Sequence, residues 1–204
     1  MNKKRIFIWV TLILVLGAVT LHGLFRMAET LAKSSKMPLA ELATVPGFRL
    51  IERSGREVTR GELEGRIWVA DFIFTHCAGT CPVMNRSMQG LATLFERCED
   101  LRLVSITCDP KRDTPEVLRS YAEGLGADAE RWLFLTGDAE AIQSLAQDGF
   151  KLAASAGESI VHSQRLVLVD RKLRIRGYYD GTVEAEVGRL ERDLLGLIEA
   201  LGEH

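Results

Sequence analysis

A chain of 204 residues, 47% hydrophobic and 26% charged, with a net charge of −2, has the composition of one globular domain with an appendage. Its near-neutral balance lacks the strongly basic footprint of a nucleic-acid binder, so no nucleic-acid partner is expected.

The appendage is N-terminal. Ile6 to Phe25 is almost wholly apolar, interrupted by Thr11, Thr20 and His22. At about 1.5 Å per residue a helix of this length matches the ~30 Å of a bilayer core. Lys3, Lys4 and Arg5 precede it and favour a cytoplasmic N-terminus. No A-x-A cleavage site follows, so the segment reads as an uncleaved signal anchor rather than a removed signal peptide. Either reading exports the rest of the chain to a space where disulfides persist. The expected organisation is a cytoplasmic N-terminus over 1–5, a transmembrane helix over 6–25, a polar linker over 26–46 and one domain over 47–204.

Within that domain, Phe48–Thr59 carries a Ser-Gly turn between two short β-like arms. Ile67–Phe74 (IWVADFIF) is the continuous apolar run of a buried central strand. From Val83 to Cys98, apolar residues recur at helical spacing behind Pro82. Leu101–Thr107 is a second buried strand, and Thr114 caps a helix running to about Leu125. Trp132–Leu135 is a short strand, and Asp138 caps a helix to about Gly149. His162–Val169 and Arg174–Tyr179 form a hairpin, and Val183–Leu201 is a final amphipathic helix. This order argues for an α/β sandwich with a mixed sheet. Its CxxxC at the first strand-to-helix corner is the arrangement of a thioredoxin-like fold.

The corner reads FTHCAGTCP. Cysteines at Cys77 and Cys81, four apart at the start of a helix, share one face. Unpaired N–H groups and the helix dipole there favour thiolate, which is both nucleophile and metal ligand. As a structural staple a disulfide closing so short a loop would remove little unfolded-state entropy. A metal needs further ligands. His22 lies in the anchor, His204 ends the chain, and His76 should point away from its neighbour Cys77 if the strand still alternates. His162 remains, at the start of the closing hairpin, where a thioredoxin-like sheet brings its loop beside the corner. Two sulfurs and one imidazole suit copper, as Cu(I) or Cu(II).

These residues resemble the Sco/SenC family of copper-binding proteins of cytochrome c oxidase assembly. The resemblance covers roughly residues 46–200 and rests on FIFTHCAGTCP, SITCDPKRDTPEVLRSYAEGLG, WLFLTG, VHSQRLVLVD and GYYDG. It implies Cys77, Cys81 and His162 as copper ligands, with Cys77 and Cys81 also a redox pair able to form a 77–81 disulfide. It further implies a single-pass protein of the cytoplasmic (inner) membrane whose thioredoxin-like domain lies in the periplasm or its equivalent. Such a protein delivers copper to the binuclear site of an oxidase subunit, or keeps that site's cysteines reduced. Its other partner is a copper donor or a thiol reductant.

Two features depart from the family pattern. Ala78-Gly79-Thr80 replaces the usual Pro-Asp and apolar residue between the cysteines. Asp71, six residues before Cys77, puts an acid inside a buried strand, which is costly unless it is paired or protonated. Thioredoxins carry a similar buried acid that assists proton transfer, so Asp71 is a candidate proton relay if it lies beside the site. A sheet edge or a basic partner is the alternative. The competing activity is that of an enzyme, an extracytoplasmic thiol–disulfide oxidoreductase in which Cys77 attacks, Cys81 resolves and His162 is incidental. VHSQRL lacks the proline that such enzymes usually carry opposite their cysteines, which favours copper. A redox or copper sensor is the third reading. Cys98 and Cys108 should lie near opposite ends of the sheet and form no bridge, with Cys108 on the site's side.

Overall fold

The computed structural model describes Gly17, Thr20, His22 and Gly23 and residues 39–77, 79–152 and 163–200. The chain divides into two compact units, Met1–Pro38 and Leu39–His204. In the first, Gly17, Thr20, His22 and Gly23 are helical and exposed, and the Thr20 hydroxyl donates to the Gly17 carbonyl at 2.9 Å. The rest of the expected 6–25 anchor lies outside the described residues. Among the described residues no helix is long and apolar enough to cross a membrane.

The second unit runs β1 (Ala43–Thr44), β2 (Arg49–Glu52), β3 (Glu57–Thr59), α1 (Arg60–Leu63), β4 (Ile67–Ile73), α2 (Cys81–Leu94), β5 (Leu101–Thr107) and α3 (Pro115–Gly124). It continues through β6 (Trp132–Thr136), α4 (Ala139–Ser144) with a π-helical turn (Leu145–Gly149), β7 (Arg165–Val169), β8 (Arg174–Asp180) and α5 (Glu184–Glu199). The strands form one mixed sheet in the order β1-β8-β7-β4-β5-β6-β2-β3. Strands β4, β5 and β6 are parallel, and every other pairing is antiparallel. This is the expected thioredoxin-like α/β architecture. Strand β1 lies in the stretch expected to be linker, where Ala43 and Thr44 pair with Ile175 and Arg174.

Alternation along the central strand sorts its side chains between two cores. Trp68, Ala70 and Phe72 join Ile142, Leu145 and Ala146 of α4 and the π-helical turn, and Phe150 just after it. Ile67, Val69 and Ile73 join Met84, Met88 and Leu91 of α2, Leu118 and Ala122 of α3, and Leu190 and Leu194 of α5. Every residue of β4 is buried, as the unbroken apolar run requires. Burial of each such large side chain contributes about 1.5–3 kcal/mol, which makes this strand the axis of the fold. The third and fifth positions of β4, Val69 and Asp71, have the same parity as Ile67 and Ile73. Asp71 therefore belongs to the face covered by α2.

Candidate thiol and metal site

Strand β4 ends at Ile73, and the chain turns through Phe74, Thr75 and His76 before Cys77. Helix α2 opens at Cys81 with Pro82 in its first turn, where a missing N–H costs nothing and the fixed φ suits the helix. The site thus sits beyond the carboxyl end of a central parallel strand, where open α/β sheets place their ligands.

The two sulfurs are within hydrogen-bond reach and differ sharply. Partial burial pushes the Cys77 thiol up, but hydrogen bonds from the Cys81 thiol and from the N–H groups of Cys81, Gly79 and Thr80 outweigh it. They bring Cys77 below the ordinary thiol value. Those N–H groups are the unpaired donors of the helix start. Cys81, 5% exposed, is pushed up to about 12. Burial is the main cause, its hydrogen bond to Cys77 the next, and the charges of Cys77 and Asp71 add to it against an opposing N–H of Phe74. The corner therefore pairs a Cys77 whose ionisation is favoured with a Cys81 held protonated. In this structure all four cysteines are free thiols. A Cβ added at exposed Gly79 would lie 3.8 Å from Cys77 Sγ, an ordinary contact, so the missing side chain between the cysteines is not a steric requirement.

Asp71 is neither at a sheet edge nor paired with a base. It is 0% exposed in a strand flanked by β7 and β5. Register sets it opposite Ser105, whose hydroxyl donates to Asp71 Oδ1 at 2.6 Å. Asp71 Oδ2 is buried with no hydrogen-bond partner among the described residues. Burial pushes the carboxyl up to about 7, against the opposing hydrogen bond from Ser105. The Trp132 indole Nε1–H donates in turn to Ser105 Oγ at 2.9 Å. Sequence reasoning found Asp71 but missed Ser105 and Trp132. A serine inside the apolar run LRLVSIT was the available signal.

A second buried acid, Asp113, organises the mouth of the site. It is 0% exposed. It accepts from the Thr75 hydroxyl at 2.5 Å and the Thr75 N–H at 3.1 Å, and from the Thr107 hydroxyl at 2.5 Å. It thus ties the loop carrying His76 and Cys77 to the end of β5. Removing its carboxylate in Asp113→Ala strands one buried donor, the Thr107 hydroxyl, and two half-buried ones on Thr75. Urea unfolding should show a loss of about 2–4 kcal/mol, and an unchanged midpoint would refute the clamp.

His76 is exposed, its Nδ1 within 3.0 Å of the Thr75 hydroxyl. Cys108 sits at the site's end of the sheet, its N–H donating to the Ile73 carbonyl at 2.7 Å. Its side chain packs against the core on the face opposite α2. Burial first, then the charges of Asp71, Cys81 and Asp113, pushes its thiol up to about 12. Cys98 follows α2 near the opposite end of the sheet. His162 lies outside the described residues. Among the described residues no three His, Cys, Asp or Glu side chains group to hold a metal ion.

Comparison with known proteins places this corner in context. The SCO1/SenC family model matches residues 37–194. The chain is similar to the SCO1 protein homolog of Bacillus subtilis, 30% identical over 142 residues, covering 67% of this chain and 74% of that protein. It is 32% identical over 141 residues to a Stutzerimonas stutzeri protein named for copper binding, covering 66% and 68%. The solved structure of BsSco superposes with a TM-score of 0.68 at 26% identity, covering 79% of this chain and 98% of that one. BsSco is a member of the Sco family of cytochrome c oxidase assembly proteins in which a disulfide switch is identified. With the match spanning residues 37–194, most of the folded unit and its cysteine corner, this chain belongs to the SCO1/SenC family.

Proposed function

We propose that this protein is a membrane-anchored copper chaperone that holds copper through Cys77, Cys81 and His162 and passes it to the binuclear copper site of cytochrome c oxidase. The observation that carries the reading is the pair of adjacent, oppositely shifted thiols at the start of α2. A soft sulfur pair of this kind takes Cu(I), and an imidazole from His162 would extend the set to Cu(II). The similarity to a protein named for copper binding supports it. In this reading the 6–25 segment holds the chain in the cytoplasmic membrane and the domain works outside it.

Titrating the reduced full chain with Cu(I) and Cu(II) tests the reading against His162→Ala. One equivalent should bind with a sulfur-to-copper absorption band, and the variant should lose the band. Binding indifferent to His162 would sink the three-ligand site.

A second reading is favoured by one observation, the buried carboxyl of Asp71 with its unpartnered Oδ2. Here the reduced pair acts as a thiol–disulfide reductase. Cys77 attacks a partner disulfide, Asp71 takes the proton of Cys81, and Cys81 resolves the mixed disulfide. The two readings separate cleanly, because Asp71→Asn should slow disulfide exchange while leaving copper stoichiometry unchanged.

A further inference from the structure

The loop between β4 and α2 holds a histidine whose surroundings select its tautomer. The Cys77 N–H donates to the Phe74 carbonyl at 3.2 Å, which closes a turn with Thr75 and His76 at its tip. His76 is exposed there, next in the chain to Cys77. Strand β4 has already ended at Ile73, so strand alternation does not turn His76 away from its neighbour.

The direction of the hydrogen bonds follows from counting hydrogens. Asp113 is 0% exposed and holds the tip through both the N–H and the hydroxyl of Thr75. A carboxylate only accepts, and a threonine hydroxyl has one hydrogen to give. At 2.5 Å from Asp113 Oδ1, the Thr75 hydroxyl is at the length of a hydroxyl donating to a carboxylate. Thr75 Oγ is then left as an acceptor toward His76 Nδ1, 3.0 Å away. The hydrogen of that contact comes from the ring. Had the neutral ring carried it on Nε2, two lone pairs would face each other across that gap. In a neutral imidazole one nitrogen donates and the other accepts, so with Nδ1–H turned to Thr75 the lone pair lies on Nε2.

Histidines that bind metals almost always have this support: the ring nitrogen away from the metal donates to an oxygen that fixes tautomer and orientation. Here it runs from a buried acid through a half-buried hydroxyl to an exposed ring. Among the described residues, no group of three His, Cys, Asp or Glu side chains encloses His76. So open a position suits an ion in passage rather than one at rest.

We propose that His76 Nε2 is a relay ligand that takes copper from its donor complex and hands it to the Cys77 sulfur. Thr75 and Asp113 act as positioning residues that keep the ring in its metal-binding tautomer. This rests on the copper reading above. The step is a ligand exchange in which copper keeps its oxidation state. The Nε2–copper bond forms as a donor bond breaks, and the sulfur–copper bond then forms as the Nε2 bond breaks. The sulfur binds as thiolate, its proton passing to the ligand released from the donor. Consecutive Cα atoms are about 3.8 Å apart, so the transfer runs between neighbouring side chains.

Nuclear magnetic resonance of the reduced full chain, isotope-labelled at its histidine ring nitrogens, tests the tautomer. The chain has four histidines, and the His76 signals are those lost in His76→Ala. They should show Nδ1 protonated and Nε2 bare. Thr75→Val, which removes the acceptor, should shift the ring toward the Nε2–H form, and Thr75→Ser should keep the wild-type form. Stopped-flow mixing with the Cu(II) complex of free histidine then reads how fast the sulfur-to-copper band appears. The rate should fall about 10-fold in His76→Ala and in Thr75→Val, the scale on which metal sites lose function with a supporting partner. Thr75→Ser should retain it. The final band should be the same in these variants, whereas His162→Ala should lack it. An Nε2–H ring in the wild-type chain overturns the positioning by Thr75. Wild-type uptake in His76→Ala overturns the relay and leaves the copper reading standing. A wild-type chain that develops no band fails the copper reading, and this proposal with it.

Discussion

Asp71→Asn is expected to stabilise the domain above pH 7 and to slow disulfide exchange in the same protein. The carboxyl is fully buried and pushed up to about 7, so between about pH 3.8 and 7 the folded state holds a proton that the unfolded chain has released. Stability contributed by the neutral acid is fully present below the unfolded value and is lost as pH rises through the folded one. A shift of that size corresponds to at most about 4 kcal/mol. Asparagine is the neutral isostere at every pH, so the variant should match the wild type near pH 4. Above pH 7 its melting temperature should be higher by roughly 10 °C, at about 2–4 °C per kcal/mol for a domain of this size. Exchange with a small disulfide should fall by about 10²-fold, the usual scale for removing a general acid–base group. Equal melting temperatures at pH 8 would mean that Asp71 carries no buried charge. Wild-type exchange rates would mean that it has no part in the thiol chemistry.

The second large effect is the reactivity gap between the paired thiols. At pH 8 a thiol pushed up to about 12 is ionised in roughly one molecule in 10⁴, whereas Cys77, below its ordinary value of 9.0, is ionised in a tenth or more. The higher intrinsic nucleophilicity of the more basic thiolate recovers part of that difference. Iodoacetamide should therefore modify Cys77 about 10²-fold faster than Cys81, and the 5% exposure of Cys81 widens the gap further. Mass spectrometry of timed aliquots reads both sites in one experiment. Cys77→Ser should abolish the fast phase and Cys81→Ser should retain it. Comparable rates at the two cysteines would refute the assignment of Cys77 as the more acidic, more accessible thiol.

Much of the frame was legible along the chain. The apolar run IWVADFIF announced a buried strand, Pro82 a helix start, and Thr114 and Asp138 accept from the N–H groups of Val117 and Ala141 as helix caps should. These signals are local, since a cap or a strand run is recognised within four to eight residues. Boundaries moved where local cues compete. The helix read from Val83 begins at Cys81, and the one read to Gly149 changes to a π-helical turn at Leu145. The stretch taken as linker supplies β1, because a two-residue strand paired only through its backbone leaves no periodic trace.

The site divides along the same line. The sequence by itself determined the order of strands and helices and set two cysteines at a strand-to-helix corner beside an unexpected acid, because spacing, propensity and capping act between neighbours in the chain. Only the tertiary structure decided that burial and hydrogen bonding push the two thiols in opposite directions and that Asp71 is unpaired by any base. It also decided that Ser105, 34 residues away, occupies one of its oxygens while the other stays free, and that Asp113 clamps the loop before Cys77. Burial and strand register produce those outcomes, and both arise from contacts between segments far apart in sequence.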